Sequence, residues 1–184
     1  GFTSIVGNEG EVVSKKVNIA ITSGNTYTAC LVIKGIEKAA KKMNINLNNA
    51  TVAIIGATGD IGSICAKVFS KRVKKLNIVA RNEKRLIEFS CVIRDYGNSE
   101  VEVFKHTANA VKDADIILTV TSAVSVLIEP KDLKSGSIIC DAAIPANVIK
   151  EIVNIRDDIL AFEGGLAKPH FMEDIKNKDW QRAI

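Results

Sequence analysis

The stretch Gly56-Ala57-Thr58-Gly59-Asp60-Ile61-Gly62 decides the fold, because its three glycines separate an apolar run from an amphipathic stretch. Gly56 permits a tight turn at the end of a strand, Gly59 lets the backbone approach a phosphate group, and Gly62 lets the next helix pack closely on the strand. The amides and the positive dipole end of that helix attract anions, and Thr58 adds a hydroxyl. The whole stretch therefore predicts a turn that holds a pyrophosphate.

Short apolar runs alternate with amphipathic stretches after residue 50, which is typical of a parallel sheet with helices on both faces. We predict six strands, at residues 51–55, 76–80, 101–104, 116–120, 137–140 and 159–162. Right-handed crossovers give the order 3-2-1-4-5-6, with the weakly apolar third strand at an edge. This is the Rossmann-like, doubly wound α/β fold, in which a dinucleotide lies in the crevice between strands one and four.

The region before the first strand divides into two parts. Val17, Ile19 and Ile21 alternate like a strand, and residues 22–26 supply the turn before a helix that extends to about Met43. The apolar positions of this helix, Cys30 among them, are expected to pack on the core. The predicted boundaries are 1–24 for an arm or the end of a preceding domain, 25–49 for a linker helix and connector, and 50–184 for the nucleotide-binding domain. The chain does not begin with methionine and is expected to be a piece of a longer polypeptide.

The end of the second strand predicts the cofactor. NAD-selective domains place an acidic residue there for the ribose 2′-hydroxyl, whereas this chain has Ala80-Arg81-Asn82. Arg81, followed by Lys84 and Arg85, offers charge-assisted hydrogen bonds to a 2′-phosphate. NADP(H) is therefore favoured over NAD(H).

Small residues follow the later strands at the same rim. Thr121, Ser122 and Ala123 come after the fourth strand and are expected to line the path to the nicotinamide ribose. Gly164 follows the sixth strand, where it either allows close approach of the nicotinamide or makes a turn, and both interpretations stay open.

Composition excludes several classes of partner. The 184 residues carry a net charge of +4, which is too mild to require nucleic acid or a membrane surface, and 47% of them are hydrophobic. No apolar run reaches the roughly 18 residues of a membrane span, so a cytoplasmic protein is expected. The 4 cysteines are scattered and only 2 histidines are present, which favours reduced, mostly buried thiols and indicates neither a metal site nor a disulfide framework.

The chain resembles the long-chain acyl-[acyl-carrier-protein] reductases of cyanobacteria and, more distantly, the NADP domain of shikimate dehydrogenases. The resemblance is carried by residues 1–5, 22–29 (Thr-Ser-Gly-Asn-Thr-Tyr-Thr-Ala), 50–63, 80–82 and 164–165. It implies NADPH-dependent reduction of an acyl thioester to an aldehyde. It also implies a reactive cysteine that lies downstream of the matched region, so that role is transferred to none of the cysteines present.

No other catalytic scheme is convincing in this sequence. A Tyr-x-x-x-Lys pair is absent, because Leu31 stands four residues after Tyr27 and Glu100 four after Tyr96.

The substrate is expected to be a small molecule or an acyl group bound to a carrier protein. Two alternatives stay open: the NADP domain of a shikimate- or amino-acid-dehydrogenase-like enzyme, and a non-catalytic NADP(H) sensor. A homo-oligomer is also possible.

Overall fold

The computed structural model describes residues 10–121, 128–143 and 148–166. The helices are α1 (Glu11–Ser14), α2 (Asn25–Lys42), α3 (Asp60–Phe69), α4 (Glu83–Tyr96), α5 (Thr107–Val111) and α6 (Val148–Val153). The strands are β1 (Thr51–Ile55), β2 (Lys75–Val79), β3 (Glu100–Phe104), β4 (Ile116–Thr119), β5 (Ile138–Asp141) and β6 (Leu160–Glu163). Two short 3-10 turns occupy Leu47–Asn49 and Pro130–Asp132.

Within these described ranges, the strands form one six-stranded sheet in the order β3-β2-β1-β4-β5-β6. Every neighbouring pair is parallel. The predicted Rossmann-like α/β fold and its strand order are thus confirmed, and each strand begins and ends within one residue of its predicted bounds. The reversal of strand order between β1 and β4 opens the crevice at the carboxyl edge of the sheet.

The core follows from the period of two along buried strands. On β1, Val52 and Ile54 face a layer built with α2, α3 and α4, whereas Ala53 and Ile55 face a smaller layer built with α5 and α6. Because both faces are covered, the four central strands read as almost continuous apolar runs.

Helix α2 packs on the Rossmann core, as predicted, against α3 and β5. It spans 18 residues and buries Ala29, Val32, Ile33, Ile36, Ala39 and Ala40. The prediction that Cys30 belongs to this buried face is wrong, since Cys30 is exposed. Val32 takes that place, fully buried, because the helix presents positions 29, 32, 33, 36 and 40 to the core at intervals of three and four residues.

The predicted strand at residues 17–21 is also wrong. The segment has no regular secondary structure, and Val17, Ile19 and Ile21 are all exposed. Alternating side chains do not make a strand unless a neighbouring strand accepts its hydrogen bonds, and the edges of the described sheet are β3 and β6. None of the described helices is long and apolar enough to cross a membrane.

Candidate nucleotide-binding site

The glycine turn is fixed to the end of the neighbouring strand. The backbone amides of Gly56 and Ala57 both donate to the carbonyl oxygen of Val79, at 2.9 and 3.0 Å. Gly56 has a φ of 93°, which side chains of L-residues rarely adopt, so glycine is required there. The turn after β1 and the residues that follow β2 are therefore held side by side.

Helix α3 begins at this turn without a side-chain cap on Gly59. The amides of its first turn have no acceptor within the helix and remain available to an anion. Helix α4 contrasts with it, because the Asn82 side chain accepts a hydrogen bond from the Arg85 amide at 3.0 Å. Of the two helices that begin at this rim, α3 is therefore the one whose first-turn amides can bind a phosphate group.

Glycine occupies positions 59 and 62 of the turn for different structural reasons. A Cβ on Gly62 would lie 2.2 Å from the carbonyl oxygen of Gly56, so α3 and the turn could not stay in place. A Cβ on Gly59 would have that same oxygen as its nearest neighbour, at 3.4 Å, which is ordinary van der Waals contact. The fold itself requires Gly62, whereas Gly59 leaves space above the turn.

A cleft of about 440 Å³ opens over the turn, between the ends of β1, β2, β3 and β4. Eight of the predicted site residues line it, namely Gly56, Thr58, Gly59, Ala80, Arg81, Asn82, Arg85 and Thr121. Val120, from the end of the predicted fourth strand, lines it as well, and so do four residues that the sequence interpretation did not select: Ile55, Val79, Lys105 and Thr107. The cleft thus joins the predicted phosphate turn to the predicted 2′-phosphate corner.

The other predicted site residues lie elsewhere. Ala57, Ile61 and Gly62 belong to the turn and to α3 but not to the wall of the cleft. The Asp60 carboxylate is engaged away from that wall, since its Oδ2 accepts a hydrogen bond from Nδ2 of Asn25 at 2.7 Å. This bond ties the start of α2 to the start of α3. Two further predictions, Ser122 and Ala123, fall outside the described residues.

Gly164 serves packing. A Cβ there would lie 2.4 Å from Sγ of Cys140 and 3.3 Å from Cγ2 of Val32, so only glycine lets the end of β6 pass between β5 and α2. The next residue, Gly165, has a φ of 80° and lies against Thr28. Close packing against α2 accounts for Gly164, and it does not line the cleft.

Lys105 and Thr107 are the important residues that the sequence interpretation missed. Both follow β3, and the carboxyl ends of parallel strands meet at one edge of the sheet. Val79 pairs with Phe104, so the residues after these two strands are neighbours at the rim. Applying the same rule to β3 as to β2 would have found Lys105.

The charge of the cleft is concentrated at this corner. Its wall includes Arg81, Arg85 and Lys105, and the segment after β2, where an acidic residue would hold a ribose hydroxyl, is Ala80-Arg81-Asn82. Lys84, which the sequence suggested as a further cation, does not line the cleft. The anion nearest to these cations in the described contacts is Glu83, whose Oε2 lies 3.6 Å from Nζ of Lys105.

A buried hydrogen bond joins the ends of β4 and β5 at the same rim. Oγ1 of Thr119 donates to Oδ1 of Asp141 at 2.6 Å, and the Ala143 amide donates to the same oxygen at 3.0 Å. Asp141 is only 1% exposed. The carboxylate therefore fixes the backbone on the side of the crevice away from β2.

All four cysteines lie in the described residues, and none of them lines the cleft. Burial raises the pKa of the Cys65 thiol to about 12. Burial is also the main cause that raises the pKa of Cys140 to about 12, with Cys65 and Asp141 adding to it. Cys30 and Cys91 are exposed on α2 and α4, so the prediction of mostly buried thiols holds for only two of the four.

These features fit a dinucleotide phosphate. The first-turn amides of α3 are uncapped, Gly59 leaves space for a close approach, and cations stand at the far end of the cleft. The fold and this cleft define a Rossmann-type nucleotide-binding domain.

A family model described as shikimate / quinate 5-dehydrogenase matches residues 37–161. The chain therefore belongs to the shikimate/quinate 5-dehydrogenase family of oxidoreductases.

A curated relative supports the resemblance to the acyl-[acyl-carrier-protein] reductases. The chain is 32% identical to the long-chain acyl-[acyl-carrier-protein] reductase of Synechococcus elongatus, over 98% of its own length and 52% of that protein. The chain thus spans about half of this curated relative.

Two solved structures share the fold. A dipicolinate synthase subunit from Bacillus halodurans has a TM-score of 0.61 at 20% identity, covering 77% of this chain and 48% of that one. Shikimate 5-dehydrogenase from Listeria monocytogenes, in complex with shikimate and NAD, has a TM-score of 0.55 at 15% identity, covering 71% and 51%. At these identities the likeness is one of fold.

Proposed function

We propose that this chain is the NADP(H)-binding domain of a reductase that converts a fatty acyl thioester to an aldehyde. The observation that carries the cofactor assignment is the corner of the cleft after β2, where Arg81 and Arg85 line the wall and the segment Ala80-Arg81-Asn82 contains no acidic residue. A carboxylate there would repel a 2′-phosphate, whereas a guanidinium pairs with it through two parallel hydrogen bonds. The reduced nicotinamide, when bound, supplies the hydride for the reduction.

Residues of the chain hold the cofactor in this proposal. The uncapped start of α3 and the turn around Gly59 bind the pyrophosphate, and Thr58 adds a hydroxyl at the wall of the cleft. Thr121, after β4, lines the part of the cleft that leads toward the nicotinamide. Ser122 and Ala123 are proposed to continue this wall.

The thioester part of the proposal is supported by the similarity to the acyl-[acyl-carrier-protein] reductase, which extends over 98% of this chain. The substrate would be an acyl group carried by a protein or by a small thiol. An acyl-accepting thiol must be partly ionised and accessible, and Cys65 and Cys140 are neither. Cys30 and Cys91 are exposed, but both lie outside the cleft. We therefore expect the nucleophile in another part of the enzyme.

Replacement of Arg81 by alanine tests the cofactor assignment. We expect NADPH binding to weaken by one to two orders of magnitude, about 1.5–3 kcal/mol, because a charge-assisted contact to the 2′-phosphate is lost. NADH binding should hardly change. Titration calorimetry with both cofactors makes the measurement, with Arg72→Ala as the matched control, since Arg72 is exposed, paired with Glu37 and outside the cleft. Equal losses for both cofactors would contradict the assignment.

A second candidate is a dehydrogenase that acts on a hydroxyl or carbonyl group, which the family match over residues 37–161 favours. Both candidates share this cofactor domain, so the substrate must separate them. Oxidation of NADPH by the whole protein with an acyl thioester supports the first, and reduction of NADP⁺ with shikimate or quinate supports the second. If the protein binds NADPH and turns over neither substrate, the non-catalytic sensor is favoured.

A further inference from the structure

Lys105 lies beside the position that selects the cofactor. The last residues of β2 and β3, Val79 and Phe104, are register partners, so Ala80 and Lys105 follow them on adjacent strands. Lys105 lines the same cleft as Arg81 and Arg85. Arg81, Arg85 and Lys105 thus line the corner where a ribose 2′-substituent would lie. Arg81 and Lys105 come from the loops after β2 and β3, and Arg85 comes from the start of α4.

Lys105 forms a weak ion pair with Glu83. Its Nζ lies 3.6 Å from Oε2 of Glu83, and the two side chains are 70% and 61% exposed. An exposed ion pair at this distance stabilises a protein little, because water screens it and two long side chains lose freedom. A phosphate monoester carries more charge than one carboxylate and presents three acceptor oxygens, so it competes well for the same ammonium group.

We propose that Lys105 is a specificity-determining residue that completes the 2′-phosphate subsite, and that Glu83 is its exchangeable counter-ion in the free domain. This inference rests on the proposed NADP(H) function and extends it to the loop after β3. Glu83 does not line the cleft, so it leaves the subsite to the cations while it holds Lys105 at the rim. On binding, Lys105 exchanges the carboxylate for the phosphate.

The test uses two fragments that differ in the 2′-phosphate alone, adenosine 2′,5′-bisphosphate and 5′-AMP. With Lys105→Ala we expect binding of the bisphosphate to weaken about tenfold and that of 5′-AMP less than about twofold, as for loss of one charged hydrogen bond. Lys112→Ala is the matched control, because Lys112 is exposed, ends α5 and lies outside the cleft. Equal effects on both fragments, or no effect, would overturn the role of Lys105.

Glu83 gives a second, opposite readout. Glu83→Gln should tighten bisphosphate binding by about threefold, because the Lys105 ammonium group then has no ion pair to break before it binds the phosphate. The gain should vanish in the Lys105→Ala background, which a double-mutant cycle measures. A gain that survives without Lys105 would overturn the exchange of counter-ions.

The outcomes separate this inference from the proposed function. If the unmodified chain binds the bisphosphate no better than 5′-AMP, the NADP(H) assignment fails and the role of Lys105 fails with it. If the preference exists, disappears in Arg81→Ala and persists in Lys105→Ala, the assignment stands and only the role of Lys105 is refuted.

Discussion

Arg81 lies in the segment directly after β2, where NAD-selective domains place an acidic residue for the ribose. The structure adds Lys105 to the basic corner that the sequence indicated and removes Lys84 from it. Asn82, selected from the sequence as a contact, lines the cleft and also caps α4 through its side-chain oxygen. One side chain thus shapes the corner and fixes the helix that carries Arg85.

The residue-scale chemistry of the thiols is directly testable. With an excess of iodoacetamide near pH 7.5, we expect Cys30 and Cys91 to be alkylated quickly, because both are exposed. Cys65 and Cys140 should react only after unfolding, since burial raises the pKa of each to about 12 and the thiolate is the reactive form. Peptide mass spectrometry assigns the labels.

A Cys30→Ser variant controls for the assignment, and it should lose one of the two fast-reacting sites. Rapid labelling of Cys140 in the folded protein would contradict the buried, protonated thiol. It would also reopen the question of a nucleophile at the rim.

The residues that sequence alone failed to place share one physical reason. The register of β2 against β3 brings Lys105 to the cofactor corner, and register is a property of the folded sheet. Cys30 has apolar neighbours in the sequence, but its side chain on α2 is exposed to solvent, which also depends on how the helix packs in the folded protein. Local patterns placed the glycine turn and Arg81 at the cleft because their positions depend on the residues next to them in the chain.

At the scale of elements, the close contact between α3 and the turn after β1 defines the site. Gly62→Ala should cost about 1–3 kcal/mol of unfolding free energy, because its Cβ would lie 2.2 Å from a backbone oxygen that cannot move aside cheaply. Gly59→Ala should change that free energy by less than about 0.5 kcal/mol, since its Cβ meets only an ordinary contact at 3.4 Å.

Urea unfolding and cofactor titration of the two variants complete this comparison. We expect Gly59→Ala to keep its stability and to bind both NADPH and NADH at least about tenfold more weakly, because the methyl group occupies the approach of the pyrophosphate. If Gly59→Ala binds both cofactors normally, the turn does not hold the phosphates. If Gly62→Ala unfolds like the unmodified chain, the close packing of α3 on the turn is incorrect.

Elements with a continuous apolar pattern were predictable, and elements that depend on a partner were not. All six strands of the described sheet appear within one residue of their predicted bounds, and in the four central strands burial on both faces leaves a clear apolar signal. The alternation of Val17, Ile19 and Ile21 gave a similar signal, yet these residues are exposed and form no strand. A short alternating segment lacks the information that specifies a hydrogen-bonding neighbour.

At the scale of the whole molecule, the chain belongs to the shikimate/quinate 5-dehydrogenase family and covers 52% of the acyl-[acyl-carrier-protein] reductase that it resembles. Its cleft is lined by glycines and cations, and none of its described cysteines lines that cleft. We propose that this domain binds the cofactor and that another part of the enzyme carries the acyl-accepting group, in line with the general placement of dinucleotides on Rossmann domains.

The affinity of the unmodified chain for NADPH and for NADH, measured side by side by titration calorimetry at one ionic strength, tests the central proposal most directly. We expect NADPH to bind at least about tenfold more tightly, since the 2′-phosphate would meet Arg81, Arg85 and Lys105, and none of the described residues that line the cleft is acidic. Equal affinities, or tighter binding of NADH, would contradict it.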